Sequence, residues 1–129
     1  MAFGEWCAAR HSLDYGALPD WWLLFDIYDR QAGAFWSTTR RDAWALQHGF
    51  AVVPRLRQGQ FTLEQLRGLV MQGRSTCRDG CLEGAVLRRE DELWLLDRAK
   101  LVRPDFTQAI DIHWRSRPLE WNRLVPAPA

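Results

Sequence analysis

Residues 82–102 read LEGAVLRREDELWLLDRAKLV, and this stretch decides the fold that we expect. Two apolar segments, 82–88 and 93–102, flank a polar turn at 89–92, a pattern typical of an antiparallel β-hairpin. In such a hairpin, Glu83 near the start of one strand lies close to Lys100 near the end of its partner. The pattern therefore predicts that a carboxylate and an ammonium group share one end of a sheet.

Lys100 is the single lysine among the seventeen Lys and Arg residues of the chain. A lysine is a compact charge that can also act as a nucleophile, whereas arginine stays charged and binds its partner through a planar fork. Codon bias toward arginine explains a single lysine equally well on residue type alone. The neighbours of Lys100 therefore have to carry the functional argument.

Glu83 and Lys100 allow two interpretations. An exposed cross-strand ion pair would add little stability. In a nucleotide-phosphate site, by contrast, Glu83 would bind a divalent metal through its oxygens, while Lys100 and Arg98 would neutralise phosphate charge. Gly84 would let the backbone approach closely at this point.

Upstream of the hairpin, strand-like segments occupy residues 3–10, 21–28 and 51–56. Pro54 favours an edge position for the third segment, because proline cannot donate to a sheet ladder. Strict alternation along the second segment, WWLLFDIY, predicts two faces, with Leu23, Phe25 and Ile27 opposite Leu24, Asp26 and Tyr28.

Helix signals separate these strands. Ser37, Thr38 and Thr39 are candidate N-caps for a helix over 40–48, which Gly49 would end. A capping box at 62–65 starts a second helix that ends at Gly73, and a short third helix is predicted over 105–112. The resulting order, βαβαββα, indicates an α+β fold with helices beside a mostly antiparallel sheet.

The composition of the chain is that of an ordinary globular domain. With 129 residues, 47% hydrophobic content and a net charge of +1, it suits one domain without a global attraction for nucleic acid. Cys7, Cys77 and Cys81 form no disulfide or zinc pattern. We expect most of the eight tryptophans to be core, with base stacking as the alternative. No membrane span or signal peptide is visible, so we expect a cytoplasmic protein.

Four short motifs in order carry a family resemblance: Gly4-Glu5-Trp6, Phe25-Asp26-Ile27-Tyr28-Asp29, EGAVLR at 83–88 and RAKLVR at 98–103. With them, the chain resembles the RNA ligase family of the covalent nucleotidyltransferases. Residues 112–114 and 122–124 resemble the end of its bacterial and phage branch. The resemblance implies a partial nucleotidyltransferase domain, of the ATP-grasp-like ligase type, over residues 1–125, with a disordered tail at 126–129.

The resemblance also implies roles for individual residues. Glu5 would accept a hydrogen bond from the ribose, Phe25 would stack on adenine, and Glu83 would bind the metal, Mg²⁺ or Mn²⁺. Arg98 and Lys100 would contact the phosphates of ATP. Phe25 as plain core remains the alternative. Arg10, His11 and Arg30 are polar neighbours without an assigned role, and His113 and Trp114 are expected to anchor the C-terminal helix.

The family nucleophile is a lysine in a K-x-D-G motif upstream of the Gly-Glu motif. Only four residues precede Glu5 here, and no lysine precedes Lys100. We therefore expect the C-terminal part of such a domain, arising by truncation, a mis-started reading frame or a split enzyme, and inactive alone in self-adenylylation. Its expected partners are RNA ends, together with an N-terminal half on another polypeptide or a second copy. A non-catalytic nucleotide- or RNA-binding module and a structural domain remain as alternatives.

Overall fold

The computed structural model describes residues 1–11, 13–108 and 118–126. These residues form an α+β fold, as predicted, with two antiparallel sheets rather than one. The elements are β1 (Ala2–Trp6), β2 (Trp22–Asp29), β3 (Ala34–Phe35), α1 (Thr38–His48), α2 (Leu63–Gln72), β4 (Gly84–Glu90), β5 (Leu95–Val102) and α3 (Pro104–Gln108). The predicted order βαβαββα is wrong: β3 directly follows β2, and the two longer helices follow one another. The rest of the predicted helix over 105–112, the 112–114 motif and all but Pro126 of the predicted tail lie outside the described residues.

The first sheet has the order β1-β2-β3. The ladder between β1 and β2 contains a β-bulge, because Phe3 pairs with Asp26 whereas the next residue, Gly4, pairs with Leu24. Phe25 lies between these two pairs and has no partner in β1. A bulge inserts one extra residue and so breaks the period of two along the strand.

The bulge overturns the predicted alternation of β2. Leu24 and Ile27, which were predicted on opposite faces, pack together against Ala45 of α1. Leu23 belongs to a separate core cluster with Leu18 and Cys77. The sheet therefore buries apolar side chains on two sides, which a strict period of two could not predict.

The predicted strand over 51–56 is also wrong. Only one isolated bridge forms there, between Val52 and Leu24, with hydrogen bonds from Leu24 N to Ala51 O and from Val53 N to Leu24 O. Pro54 follows at once and has no N–H to extend the ladder. The segment therefore touches β2 without becoming a strand.

Both longer helices begin and end at the predicted caps. The hydroxyl of Ser37 accepts a hydrogen bond from Arg40 N, and Gly49 ends α1 in the left-handed conformation, with φ of 73°. At α2, Thr62 and Gln65 form the complete capping box. These local signals suffice because each cap is satisfied within a few residues.

The predicted hairpin is confirmed as β4 and β5. Val86 pairs with Lys100, and Arg88 pairs with Arg98. Gly84 has a packing reason: a Cβ atom there would lie 2.4 Å from the carbonyl oxygen of Leu101. The partner strand β5 therefore passes too close to residue 84 for any side chain to fit there, directly beside Glu83.

Candidate functional site

Three charged residues from different segments of the chain interact electrostatically: Glu5, Glu83 and Lys100. Glu5 lies on β1, Glu83 directly precedes β4, and Lys100 lies on β5. Burial raises the pKa of the Glu83 carboxyl, the negative charge of Glu5 raises it further, and Lys100 lowers it. Such effects require that Glu5 and Lys100 each lie near enough to Glu83 to act on its charge.

The carboxylate of Glu83 fits a divalent cation. Mg²⁺ usually binds one or two carboxylates and completes its octahedral shell with water and substrate phosphate oxygens. A half-buried carboxylate that is repelled by a neighbouring carboxylate, as Glu83 is by Glu5, would be stabilised by a cation bound beside it. Within the described ranges, no cluster of three or more His, Cys, Asp or Glu side chains could hold a metal without such outside ligands.

Lys100 faces an open surface. Both Lys100 and its cross-strand partner Val86 are exposed, Val86 by 58%. Because alternate residues of a strand share a face, Arg98 lies on the same side of β5 as Lys100. The hairpin therefore presents two cations, two residues apart, on one accessible face.

Arg98 is anchored by Asp26 of β2. Arg98 Nη1 donates to Asp26 Oδ2 at 2.6 Å, and Arg88 donates to the other carboxylate oxygen. The Asp26 side chain is only 3% exposed, whereas that of Arg98 is 49% exposed. Arg98 thus joins the two sheets while part of its guanidinium remains accessible.

The contacts of Arg88 continue this network to the start of α1. Arg88 also donates to Glu90 at 2.5 Å, and Glu90 accepts from the backbone N–H of Thr38 at 2.9 Å and from its hydroxyl at 2.8 Å. Burial alone would raise the pKa of Glu90, but the bonds from Arg88 and Thr38 hold it below its usual range. Two carboxylates and two guanidiniums therefore compensate one another between the sheets.

The roles of Asp26 and Arg88 were missed in the sequence prediction. Both belong to motifs that were quoted for other residues, Asp26 beside Phe25 and Arg88 at the end of EGAVLR. One signal was available, because a single charge inside the apolar run WWLLFDIY requires a partner if it is buried. The identity of that partner depends on the packing of the two sheets, which no local pattern encodes.

Phe25 occupies the bulge beside Asp26, and its side chain is 36% exposed. A fully buried ring would fit the core alternative better than this partly open position. The ring is thus placed on the strand that also carries Asp26, the anchor of Arg98.

The model of the family described as "RNA ligase" matches residues 1–102 of the chain. The chain belongs to the RNA ligase family. Neither the curated proteins nor the solved structures include a significant match. The match contains every residue of the predicted site, from Glu5 to Lys100, and stops before the resemblance at 122–124.

The structure also shows the contacts or state of other residues of this RNA ligase domain that were named in the prediction. Arg10 forms an ion pair with Glu120 at 2.7 Å, and the three cysteines are free thiols. His113 and Trp114 lie outside the described residues. No helix among the described residues is long and apolar enough to cross a bilayer.

Proposed function

We propose that this RNA ligase family domain binds ATP with Mg²⁺ or Mn²⁺ and serves the joining of RNA 5′-phosphate and 3′-hydroxyl ends by AMP transfer. The observation that carries the proposal is that Glu5 on β1 and Lys100 on β5 both act on the charge of Glu83, which directly precedes β4. A carboxylate pair beside an exposed amine suits a metal–phosphate complex better than a plain ion pair, because one ammonium leaves one carboxylate uncompensated.

Each residue then has a distinct task. Glu83 holds the cation, which shields phosphate charge when bound, and Glu5 accepts from the ribose hydroxyl. Lys100 and the accessible part of Arg98 bind phosphate oxygens and stabilise the charge that develops during transfer. Asp26 anchors one nitrogen of the Arg98 guanidinium and so fixes the position of that group. Phe25 supplies a surface for the base.

The covalent nucleophile has no candidate lysine other than Lys100 in this sequence. Lys100 lies on β5 in the motif whose lysine contacts phosphate, so we propose that this chain alone forms no lysine–AMP. A segment carrying the K-x-D-G motif, in a longer form of this protein or on a second polypeptide, would supply the nucleophile. Trp6 and Trp121, exposed by 61% and 59%, support association through an apolar surface.

ATP binding tests the proposal directly. Equilibrium dialysis with Mg²⁺ should detect ATP bound to the wild-type chain, and Lys100→Met should weaken binding by about ten-fold, the loss of one phosphate contact. Arg89→Met is the matched control, because Arg89 alternates with Arg88 and so lies on the opposite face of β4. Equal affinities for the three proteins would contradict the site.

Incubation with Mg²⁺ and ATP labelled at the α-phosphate tests the missing nucleophile. We expect no acid-stable label on the pure chain. Label that disappears in Lys100→Ala would make Lys100 the nucleophile, and label that survives this substitution would place it elsewhere; both results contradict the proposal.

A non-catalytic nucleotide- or RNA-binding module is the second candidate. The given sequence contains no K-x-D-G motif, and its single lysine lies on β5; both observations favour this second candidate. Mixing the chain with a polypeptide that carries the K-x-D-G half distinguishes the two, because only a ligase half restores RNA sealing.

A further inference from the structure

Arg41 is a buried cation outside every family motif quoted above. It lies on α1, its side chain is 4% exposed, and it faces the β1-β2-β3 sheet on which that helix packs. Burying a guanidinium is costly unless it is fully hydrogen-bonded. The partners of Arg41 therefore indicate what the charge is retained for.

One partner is the bulge itself. Arg41 Nη1 donates to the backbone carbonyl oxygen of Phe25 at 2.7 Å. Phe25 is the extra residue of the bulge and has no partner in β1. A charged donor on this carbonyl restrains the backbone where the ladder is interrupted, and bulges re-aim the side chains that they carry.

The guanidinium is itself fixed in direction. Arg41 Nε and Nη2 both donate to Asp42 Oδ1, at 2.9 Å and 2.7 Å. The other oxygen of Asp42 accepts from Arg55 Nη2 at 2.8 Å. The planar fork thus bonds Asp42 on one side and Phe25 on the other, an arrangement that the point charge of a lysine cannot reproduce.

We propose that Arg41 is a positioning residue for base recognition: it locks the bulge so that the Phe25 ring is held ready to stack on the base of the bound nucleotide. This inference rests on the proposed function, in which Phe25 receives the base. Arg41 acts through the Phe25 carbonyl and touches no nucleotide. Its removal should therefore weaken recognition of the base and leave recognition of the phosphates intact.

The test uses the whole chain labelled with 4-fluorophenylalanine, with the Phe25 signal assigned through Phe25→Leu. Arg41→Met and Arg41→Lys should shift or broaden the ¹⁹F resonance of Phe25, and should leave most of the other five phenylalanine resonances in place. Arg57→Met, an exposed position in the neighbouring segment, is the control and should change none. Arg41→Lys keeps the charge, so it reports on the fork if Arg41→Met fails to fold.

Ligand affinity is then measured with two probes, Mg²⁺–ATP and Mg²⁺–tripolyphosphate. Both Arg41 variants should lose about ten-fold in ATP affinity, the scale of one weakened stacking contact, with tripolyphosphate affinity unchanged. An unmoved Phe25 resonance, or an equal loss for both probes, would overturn the inference. If the resonance moves but the wild-type chain binds neither probe, the proposed function fails, and Arg41 is left with a purely structural role.

Discussion

The carboxylate of Asp26 on β2 accepts a hydrogen bond from Arg98 on β5 at 2.6 Å, and this contact joins the two sheets of the domain. Asp26 is 3% exposed and also accepts from Arg88. The position of the half-exposed Arg98 therefore depends on a buried group that belongs to the other sheet. Stability and the placement of the proposed phosphate-binding Arg98 are therefore coupled at this point.

Asp26→Ala should destabilise the fold strongly. Removing the shared acceptor leaves Arg88 half-compensated and buried, and breaking a buried ion pair costs about 3 kcal/mol or more. For a chain of this size we expect a fall in Tm on the order of 10 °C in a thermal melt. Asp97→Ala is the control, because the Arg89–Asp97 pair is about two-thirds exposed on both sides and should contribute below about 1 kcal/mol. Equal melting of the two variants would contradict the role of Asp26.

Gly84→Ala should destabilise the hairpin beside Glu83. The added Cβ would lie 2.4 Å from the Leu101 carbonyl oxygen, a backbone atom that cannot move alone. Forcing the strands apart is expected to cost about 1–3 kcal/mol by chemical denaturation. Gly68→Ala is the matched substitution in α2, where no atom lies within 4 Å, and it should stabilise by about 0.5–1 kcal/mol. The same sign for both changes would refute this packing account.

Several features of the fold could be predicted because their signals are local. The caps at Ser37 and Thr62 and the hairpin over β4 and β5 are set by neighbouring residues, and the structure confirms them. The bulge at Phe25 could not be predicted, since it depends on how Gly4 fits against Trp22: a Cβ atom at Gly4 would lie 2.2 Å from that ring. The failed strand at Val52 has a local cause instead, because Pro54 has no N–H to continue the pairing with Leu24.

The candidate site likewise contains residues that the sequence could identify and residues that it could not. Glu83 and Lys100 could be placed at the same end of the hairpin from the sequence, although the register pairs Lys100 with Val86 and the backbone of Glu83 bonds Arg103. Asp26 and Arg41 could not be found, because their partners Arg98 and Phe25 lie on other elements, 72 and 16 residues away in the chain. Motifs identify the groups that face the ligand, whereas the groups that hold them depend on tertiary packing.

The thiols should differ sharply in reactivity. Burial raises the pKa of Cys7 to about 11, with further contributions from Glu5 and Cys77. At pH 8 only about one Cys7 side chain in a thousand is therefore the reactive thiolate. Cys77 is buried, whereas Cys81 is exposed. A disulfide-exchange assay on the native protein should thus show one fast thiol, lost in Cys81→Ser and kept in Cys7→Ser; a fast phase that survives Cys81→Ser would contradict this.

Glu83→Gln should stabilise the unliganded protein at neutral pH. Folding raises the pKa of Glu83, mainly by burial and then by Glu5, so the folded state binds this proton more tightly than the unfolded state. The free energy of unfolding contributed by Glu83 is therefore greatest at acidic pH. It falls as the pH rises from the unfolded pKa, about 4.3, toward the higher folded value, and it stays reduced above that.

The Tm advantage of Glu83→Gln over wild type should consequently be full near pH 7 and vanish below about pH 4, where both states are protonated. Glu64→Gln provides the control, because Glu64 lies in the first turn of α2, where a negative charge is favourable, and its loss should lower the Tm slightly. Added Mg²⁺ should raise the Tm of the wild type at pH 7 and leave Glu83→Gln unchanged, because the substitution removes the proposed cation ligand. A stability gap independent of pH would show that Glu83 is not held in the charged, half-buried position described here.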